Sequence, residues 1–338
     1  MKNLLRYFIT RVVLTVPMLF ILLSLVFVVL RVMPGDPVSA MLGAHAPERV
    51  IEEKKEQLGL NKPIVVQYFE YLAQLAQFDL GESMIFKQRV IEPIKEKLPA
   101  TLELTVAGMF FTLLIGIPLG SYAASKRRSA RDFGIRLYGN IVYCIPVYWM
   151  GLMLQLVFGI WLDWLPIAGR TGTRIFPSMF ERTGFYVIDT LLVGNFTAFF
   201  DVLVHLLLPS ITLGVVLSGI FVRLTRANML DVLKSDYVLA ARARGIPERK
   251  VIYGHALKNA FIPILTMLGL QFAMLLAGAI LTESTFSWPG MGRLLLERIS
   301  LRDYPTIQGI IVMFALFVSL ASLIVDLIYA AIDPRVKY

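Results

Sequence analysis

The sequence predicts an all-α membrane protein with six membrane-spanning helices, and three observations carry that prediction. Hydrophobic residues make up 57% of the 338-residue chain and charged residues only 17%, where a soluble domain carries about a quarter. The apolar residues fall in long, nearly charge-free runs, and the mean hydropathy is +0.69. Those runs do not alternate polar with apolar, as membrane β-strands do. Backbone polar groups must be paired inside hydrocarbon, so an apolar run of about 20 residues reads as a helix.

The elements follow in order. Lys2, Arg6 and Arg11 lead into a first span at 9–31, charge-free over residues 12–30. That run is long for a secretion signal, and Arg31-Val32-Met33-Pro34-Gly35 stands where a small-residue cleavage site would be, so a retained helix is expected. Residues 34–98 are mixed in charge. Ala46-Pro47-Glu48-Arg49 reads as a helix start. Residues 67–80 place Tyr68, Tyr71, Leu72, Leu75 and Phe78 at helical spacing. This amphipathic helix either packs on the protein or lies at the membrane surface. Further spans are expected at 100–124, 135–161, 203–223, 260–282 and 306–331, with a Pro-, Gly- and aromatic-rich segment at 163–202.

Charge orients these spans. The net charge is +9, but the basic residues sit between apolar runs and form no single face, which argues against nucleic-acid binding. Clusters at Lys2/Arg6/Arg11, Lys126–Arg131, Arg223–Lys258 and Arg335/Lys337 all fall on one side if the spans alternate. The positive-inside rule makes that side the cytoplasm and places both termini there, in a cytoplasmic (inner) membrane.

Several chemistries are absent from the pattern. One cysteine, Cys144, permits no intrachain disulfide and is expected to pack in its apolar run. The three histidines, His45, His205 and His255, have no metal-site spacing. No Gly-Lys dipeptide occurs, hence no P-loop, and no hydrolase signature is present. The chain is therefore expected to be no enzyme and to hold no cofactor. Ionisable residues inside spans are few. Glu103 in the second and Asp326 in the sixth are candidates for a solute pathway, with an interhelical or interfacial hydrogen bond the commoner role for such residues. Arg136, at the edge of the third, can snorkel. A secondary carrier would show ionisable groups near the midplane, and an intramembrane enzyme would show a nucleophile–base or metal constellation; neither is visible.

The basic loop after the fourth span is the most informative segment. Asp236, Tyr237, Ala240, Ala241, Arg242, Ala243, Gly245 and Pro247 form a short stretch with small residues, a glycine at a helix stop and basic neighbours. On composition alone it reads equally as a close-approach docking surface and as a solvated linker. Its pattern resembles the E-A-A-x3-G motif of ABC importer permeases through Ala240, Ala241 and Gly245. Leu239, His255 and Lys258 depart from that motif, but they resemble the variant of the dipeptide/oligopeptide/nickel permease family. There Asp236, Tyr237, Ala241, Arg242, Ala243, Gly245, His255, Leu257, Lys258, Asn259, Ala260 and Pro263 all fit. The resemblance spans nearly the whole chain and is nearest to the B-type subunit of dipeptide importers. It includes Met33-Pro34-Gly35-Asp36-Pro37, Leu58-Gly59-Leu60, Asp79-Leu80-Gly81-Glu82-Ser83 and Leu98-Pro99-Ala100-Thr101-Leu102-Glu103-Leu104. It continues through Phe286-Ser287-Trp288-Pro289-Gly290-Met291-Gly292, Arg302-Asp303-Tyr304-Pro305, Gln308-Gly309, Asp326 and Asp333-Pro334-Arg335. Ser322 departs, where asparagine is common.

The resemblance implies a type I ABC importer fold: an N-terminal helix (1–33), an extracytoplasmic cap (34–97), a permease core (98–331) with a coupling loop (224–258), and a cytoplasmic tail (332–338). It implies a second permease subunit, two ATP-binding subunits that hold ATP and Mg, and an extracytoplasmic solute-binding protein. The cargo implied is peptides, with nickel chelates, glutathione and oligosaccharides as alternatives carried by similar permeases. The 236–247 segment is expected to couple the ATPases to the pore. The Trp288-Pro289-Gly290 turn is expected to be a tight external turn of the chain.

Overall fold

The computed structural model describes residues 2–32, 38, 47–57, 59–77, 79–172 and 182–332, and among these every regular element is helical. Helix α1 (Lys2–Val32) is followed by α2 (Glu48–Gln57) and α3 (Ile64–Ala76). Next come α4 (Ile91–Ser125), α5 (Ala130–Cys144) and α6 (Val147–Leu154), the last running on as a π-helical stretch, Gln155–Trp161. Then follow α7 (Tyr186–Val193), α8 (Phe196–Val232) and the short α9 (Asp236–Ala243). A turn of helix, Glu248–Lys250, and a π-helical stretch, Val251–Ala256, lead into α10 (Leu257–Thr285), α11 (Met291–Ser300) and α12 (Tyr304–Ile332).

Among the described residues, four helical runs are long and apolar enough to cross a membrane: α4, α8, the run Glu248–Thr285 and the Tyr304–Ile328 part of α12. The α5–α6 pair makes a fifth if taken as one span, and α1 offers a shorter apolar stretch, Val13–Val29. Six is reached only by counting both. The expected continuous third span is in fact broken, bent by 104° between Cys144 and Val147. Ile145 is extended (φ −79°, ψ 126°) and Pro146 follows it. Proline disfavours a helical residue before it and lacks an amide to continue the ladder. Cys144 is exposed at this break, not packed as expected.

The other corrections concern length. α8 runs to Val232, well past the expected end at 223, because no glycine or proline interrupts residues 220–232. The amphipathic helix expected at 67–80 begins at Ile64 and stops at Ala76. The motif at 33–37, Ala46, Leu58, Phe78 and the 333–335 motif lie outside the described residues, as do Met1, His45 and the tail.

α4 and α8 form the axis of the bundle. They run in the same direction: Gly108 faces Leu213, Gly116 faces Phe221 and Gly120 faces Thr225. A Cβ on Gly116 would lie 2.4 Å from the Phe221 Cβ. Small residues let membrane helices approach closely, gaining dispersion contact where no hydrophobic drive separates protein from lipid. α12 meets α10 similarly, with Ser322 against Gly269. α3 packs on α1 through Tyr68, whose hydroxyl lies 2.6 Å from Ser24 Oγ, and through Tyr71 stacked on Phe27 at 5.5 Å. Because α4 and α8 are parallel, their last turns finish together beside the basic stretches 126–131 and 234–250. This is the basic end of the molecule.

Candidate functional site

At the basic end, α9 is built to stop sharply. Gly245 has φ +69°, the left-handed conformation that glycine adopts without a Cβ penalty. Its amide donates to the Arg242 carbonyl at 2.9 Å, and the Ile246 amide to that of Ala241 at 3.3 Å. These paired bonds satisfy carbonyls that a helix end leaves orphaned. Pro247 then starts the next helical turn, its carbonyl accepting from the amides of Lys250 and Val251. Arg242 bridges the corner: its Nη2 and Nε donate to Glu248 at 2.7 and 3.1 Å. The hydrogen bond to Glu248 holds the Arg242 pKa above its ordinary value, partly opposed by burial. Both side chains are well exposed, so the pair is worth at most about 1 kcal/mol.

One face of α9 is anchored and the other is free. Val238 and Ala241 are buried, in a cluster with Ala124 of α4, Met229 of α8, Val251, Ile252 and Ala260 of α10. The ends of three spans thus meet beneath this helix. Tyr237 Oη accepts from Asn259 Nδ2 at 2.8 Å, adding a tie to α10. Asp236, Leu239, Ala240, Ala243 and Arg244 are exposed. Of the small residues, Ala240 and Ala243 therefore present a close-approach surface, whereas Ala241 faces inward.

A second junction at this end escaped the sequence reading. Asp132, only 1% exposed, receives Arg226 Nε at 2.6 Å and Nη2 at 2.9 Å, plus the Arg128 amide at 3.0 Å. Arg136 lies 3.8 Å away. This clamp ties the loop between α4 and α5 to α8 just above α9. Sequence alone read Arg128 and Arg226 only as loop charge.

The opposite end holds a buried polar clasp. Glu283 is 0% exposed. Its carboxylate accepts from Thr101 Oγ1 at 2.5 Å and from the Arg293 amide at 3.0 Å. Thr101 Oγ1 in turn accepts from the Met291 amide at 2.8 Å. Trp288 is fully buried, and its Nε1 donates to the Ala100 carbonyl at 2.9 Å. A Cβ on Gly290 would fall 2.2 Å from a Glu283 oxygen. The Trp288-Pro289-Gly290 segment is thus no simple turn: it wraps a buried carboxylate and seats α11 on the first turns of α4. Asp303 makes a matching junction, accepting from Ser83 Oγ and Thr306 Oγ1 at 2.6 Å each, and from the Met84 amide at 3.1 Å. Glu283 was missed because it lies just past the expected end of the fifth span.

Glu103 also lies toward this end, in an ion pair with Arg170 at 2.5 Å. The Val187 amide donates to it at 2.9 Å, and Arg170 also donates to the Gly184 carbonyl at 2.9 Å and stacks over Tyr186. The pair staples the segment before α7 to α4. Asp326 is half-buried toward the other end of α12, so the two pathway candidates are far apart. Beside Glu103 an open, mostly apolar cavity of about 810 Å³ runs between α4, α7 and α8, lined by Val106, Phe110, Phe111, Phe185, Leu206 and Ser210 among others.

Comparison with known proteins shows the family to which the chain belongs. The family described as "Binding-protein-dependent transport system inner membrane component" matches residues 116–338, and the N-terminal family of the same transport-system membrane components matches 4–105. The chain is 43% identical over 335 residues to the dipeptide transport system permease protein of Alkalihalophilus pseudofirmus, covering 99% of this chain and 100% of that one. It is 41% identical over 329 residues to a di/tripeptide transport system permease protein of Pseudomonas aeruginosa, covering 97% of each. It is 37% identical over 335 residues to the glutathione transport system permease protein of Pectobacterium atrosepticum, covering 99% of each.

Proposed function

This chain belongs to the binding-protein-dependent transport system inner membrane components, and from that premise we propose that it is a permease subunit of an ATP-driven importer of dipeptides and oligopeptides. The observation that carries the mechanism is the seating of α9 on the ends of α4, α8 and α10. The basic end faces the cytoplasm, following the positive-inside rule, and both termini lie there. Two ATPase subunits, which bind ATP and Mg, dock on the exposed face of α9 of this chain and of a second, similar permease. This chain itself catalyses nothing. Closure of the ATPases displaces α9. Its buried anchors and the Asp132–Arg226 clamp pass that displacement to the spans as a rigid-body movement between two packings. Asp236, Tyr237, Ala240, Ala241, Arg242, Ala243, Gly245 and Pro247 form this coupling element.

An external binding protein delivers the peptide at the opposite end, where residues 34–97 cap the pore mouth. Deleting residues 48–80 is expected to abolish uptake. A sparsely charged path suits cargo whose side chains vary, and the apolar wall between α4 and α8 is consistent with it. The glutathione relative supports a second cargo reading, since glutathione is itself a small peptide. The direct test is purification of the chain from its native membrane in mild detergent. A second permease and P-loop subunits should copurify with ATPase activity. A chain that purifies alone and takes up peptide on an ion gradient defeats the proposal in favour of a secondary carrier.

A further inference from the structure

Two arginines one turn apart on α8 have opposite surroundings. Arg226 has found its carboxylate in Asp132. Arg223 is exposed, and among the described residues it makes no ion pair and no side-chain hydrogen bond. Its guanidinium carbon instead lies over the Tyr143 ring, 4.6 Å from the centroid. Arg223 is also deeper than its place in the sequence suggested. Phe221 and Thr225 face Gly116 and Gly120, and α4 runs on to Ser125 before the basic loop begins. The backbone at Arg223 is therefore roughly 10 Å inside that loop, at 1.5 Å per residue. A lone arginine at such depth would snorkel towards the nearer water. This one leans the other way, towards the N-terminus of its helix, onto a residue beside the break between α5 and α6.

The surroundings say what it faces. Arg136, Asn140 and Tyr143 recur at helical spacing and form one stripe of α5, and all three are exposed. Polar side chains at membrane depth turn to protein or water, not to lipid. Asn140 also lines an open cavity of about 530 Å³ at the helix break, with Cys144, Pro146 and Trp149. Arg136 lies within 3.8 Å of Asp132, so Arg223 is the cation on this face without a carboxylate among the described residues. A guanidinium resting over a ring keeps its N–H edge for in-plane bonds. That edge matches the two oxygens of a carboxylate.

We propose that Arg223, backed by Tyr143, binds the C-terminal carboxylate of a peptide in transit. This rests on the peptide-import reading and adds a specificity element to it. Peptide side chains vary, so a path that admits many of them can hold only what they share, the backbone and its two charged ends. Of these, the carboxylate is the one an arginine recognises.

The test uses the complex with its partner subunits in nanodiscs, without ATP and without the binding protein, whose own peptide site would mask the signal. Dialanine is the probe, titrated by saturation-transfer NMR, which detects weak binding. A saturable dialanine signal is expected. Alanyl-alaninamide keeps the amino end but loses the carboxylate charge, and should bind at least about tenfold more weakly. Arg223→Gln should abolish that preference and bring dialanine down to the level of the amide. Arg223→Lys should keep part of it, because a point charge replaces the fork. Tyr143→Leu takes away the ring that holds the guanidinium and should weaken dialanine several-fold, so it and the comparison in the parent decide if Arg223→Gln fails to assemble. Equal affinity for the two ligands in the parent, no dialanine signal, or a preference that survives Arg223→Gln overturns the proposal. A complex that still imports dialanine with ATP under any of those outcomes keeps the import reading and loses only this site.

Discussion

At the basic end, α9 turns Leu239, Ala240, Ala243 and Arg244 to the outside and sinks only Val238 and Ala241. At the opposite end, the clasp hides Glu283, Trp288 and Asp303 completely. Polar groups on α9 and its corner are hydrated and individually weak, while the buried Asp132 behind them is not. Polar groups at the opposite end are desolvated, so each must be satisfied, and each is costly to lose. A surface meant to meet a moving partner has to remain exposed when the partner is absent. A joint that holds helices together is better buried. Substitution on the exposed face of α9 and within the buried clasp should therefore have opposite consequences: lost coupling at one, lost assembly at the other.

Four variants sharpen or break that contrast, in decreasing order of expected structural effect. Gly290→Val drives side-chain atoms into the Glu283 carboxylate. Overpacking of this kind costs about 3 kcal/mol or more, and the expected outcome is little protease-resistant protein in the membrane fraction. Normal yield would mean that the clasp is loose. Asp132→Asn weakens the bidentate contact with Arg226 and should cost about 2–4 kcal/mol, because it leaves a partly buried arginine without its charge partner. Thermal unfolding of the purified complex reads this directly, and a shift under 2 °C would remove the clamp from the account.

Gly245→Glu lies at the basic end as well, on the exposed corner of α9. Nothing lies within 4 Å of a Cβ built at Gly245, so the cost is conformational, about 1–2 kcal/mol for a left-handed non-glycine residue. The protein should insert and assemble, yet peptide uptake per ATP hydrolysed in proteoliposomes should fall at least about tenfold. Gly245→Asn, which tolerates the left-handed conformation, should keep most of it. Equal coupling in the glutamate variant and the parent would count against docking at α9. Glu248→Ala removes an exposed partner of Arg242 and should change stability by no more than about 1 kcal/mol. A larger drop in melting temperature at low salt than at high salt would fit a screened surface pair.

Much of the fold was readable without coordinates, for identifiable reasons. Long apolar runs located the spans because unpaired backbone is so costly in lipid, and the stop at Gly245 was readable because few residues besides glycine sit there comfortably. The third span was misjudged because hydropathy averages over Ile145-Pro146 while the backbone does not. Glu103 was visible as a charge within a span, but Arg170, its partner, lay in a segment that read only as a connecting loop. The clasp offered single residues and no pairing: Thr101 with Glu283, and Ser83 with Asp303, are separated by 182 and 220 positions. Several of these positions stood in motifs shared with the resembling family. Nothing in one sequence says which motif touches which.

What the sequence determined by itself is therefore local. It set the membrane class, the approximate spans, the sidedness of charge and the stop that ends α9, because each depends on neighbours along the chain and on the contrast between lipid and water. The tertiary structure alone decided which face of α9 is anchored, where Asp132 finds its arginine, and how Trp288 closes over Glu283. Those depend on the approach of distant segments to within hydrogen-bond range. Directional contacts across 100 or 200 residues leave no periodicity in the chain for a reader to find.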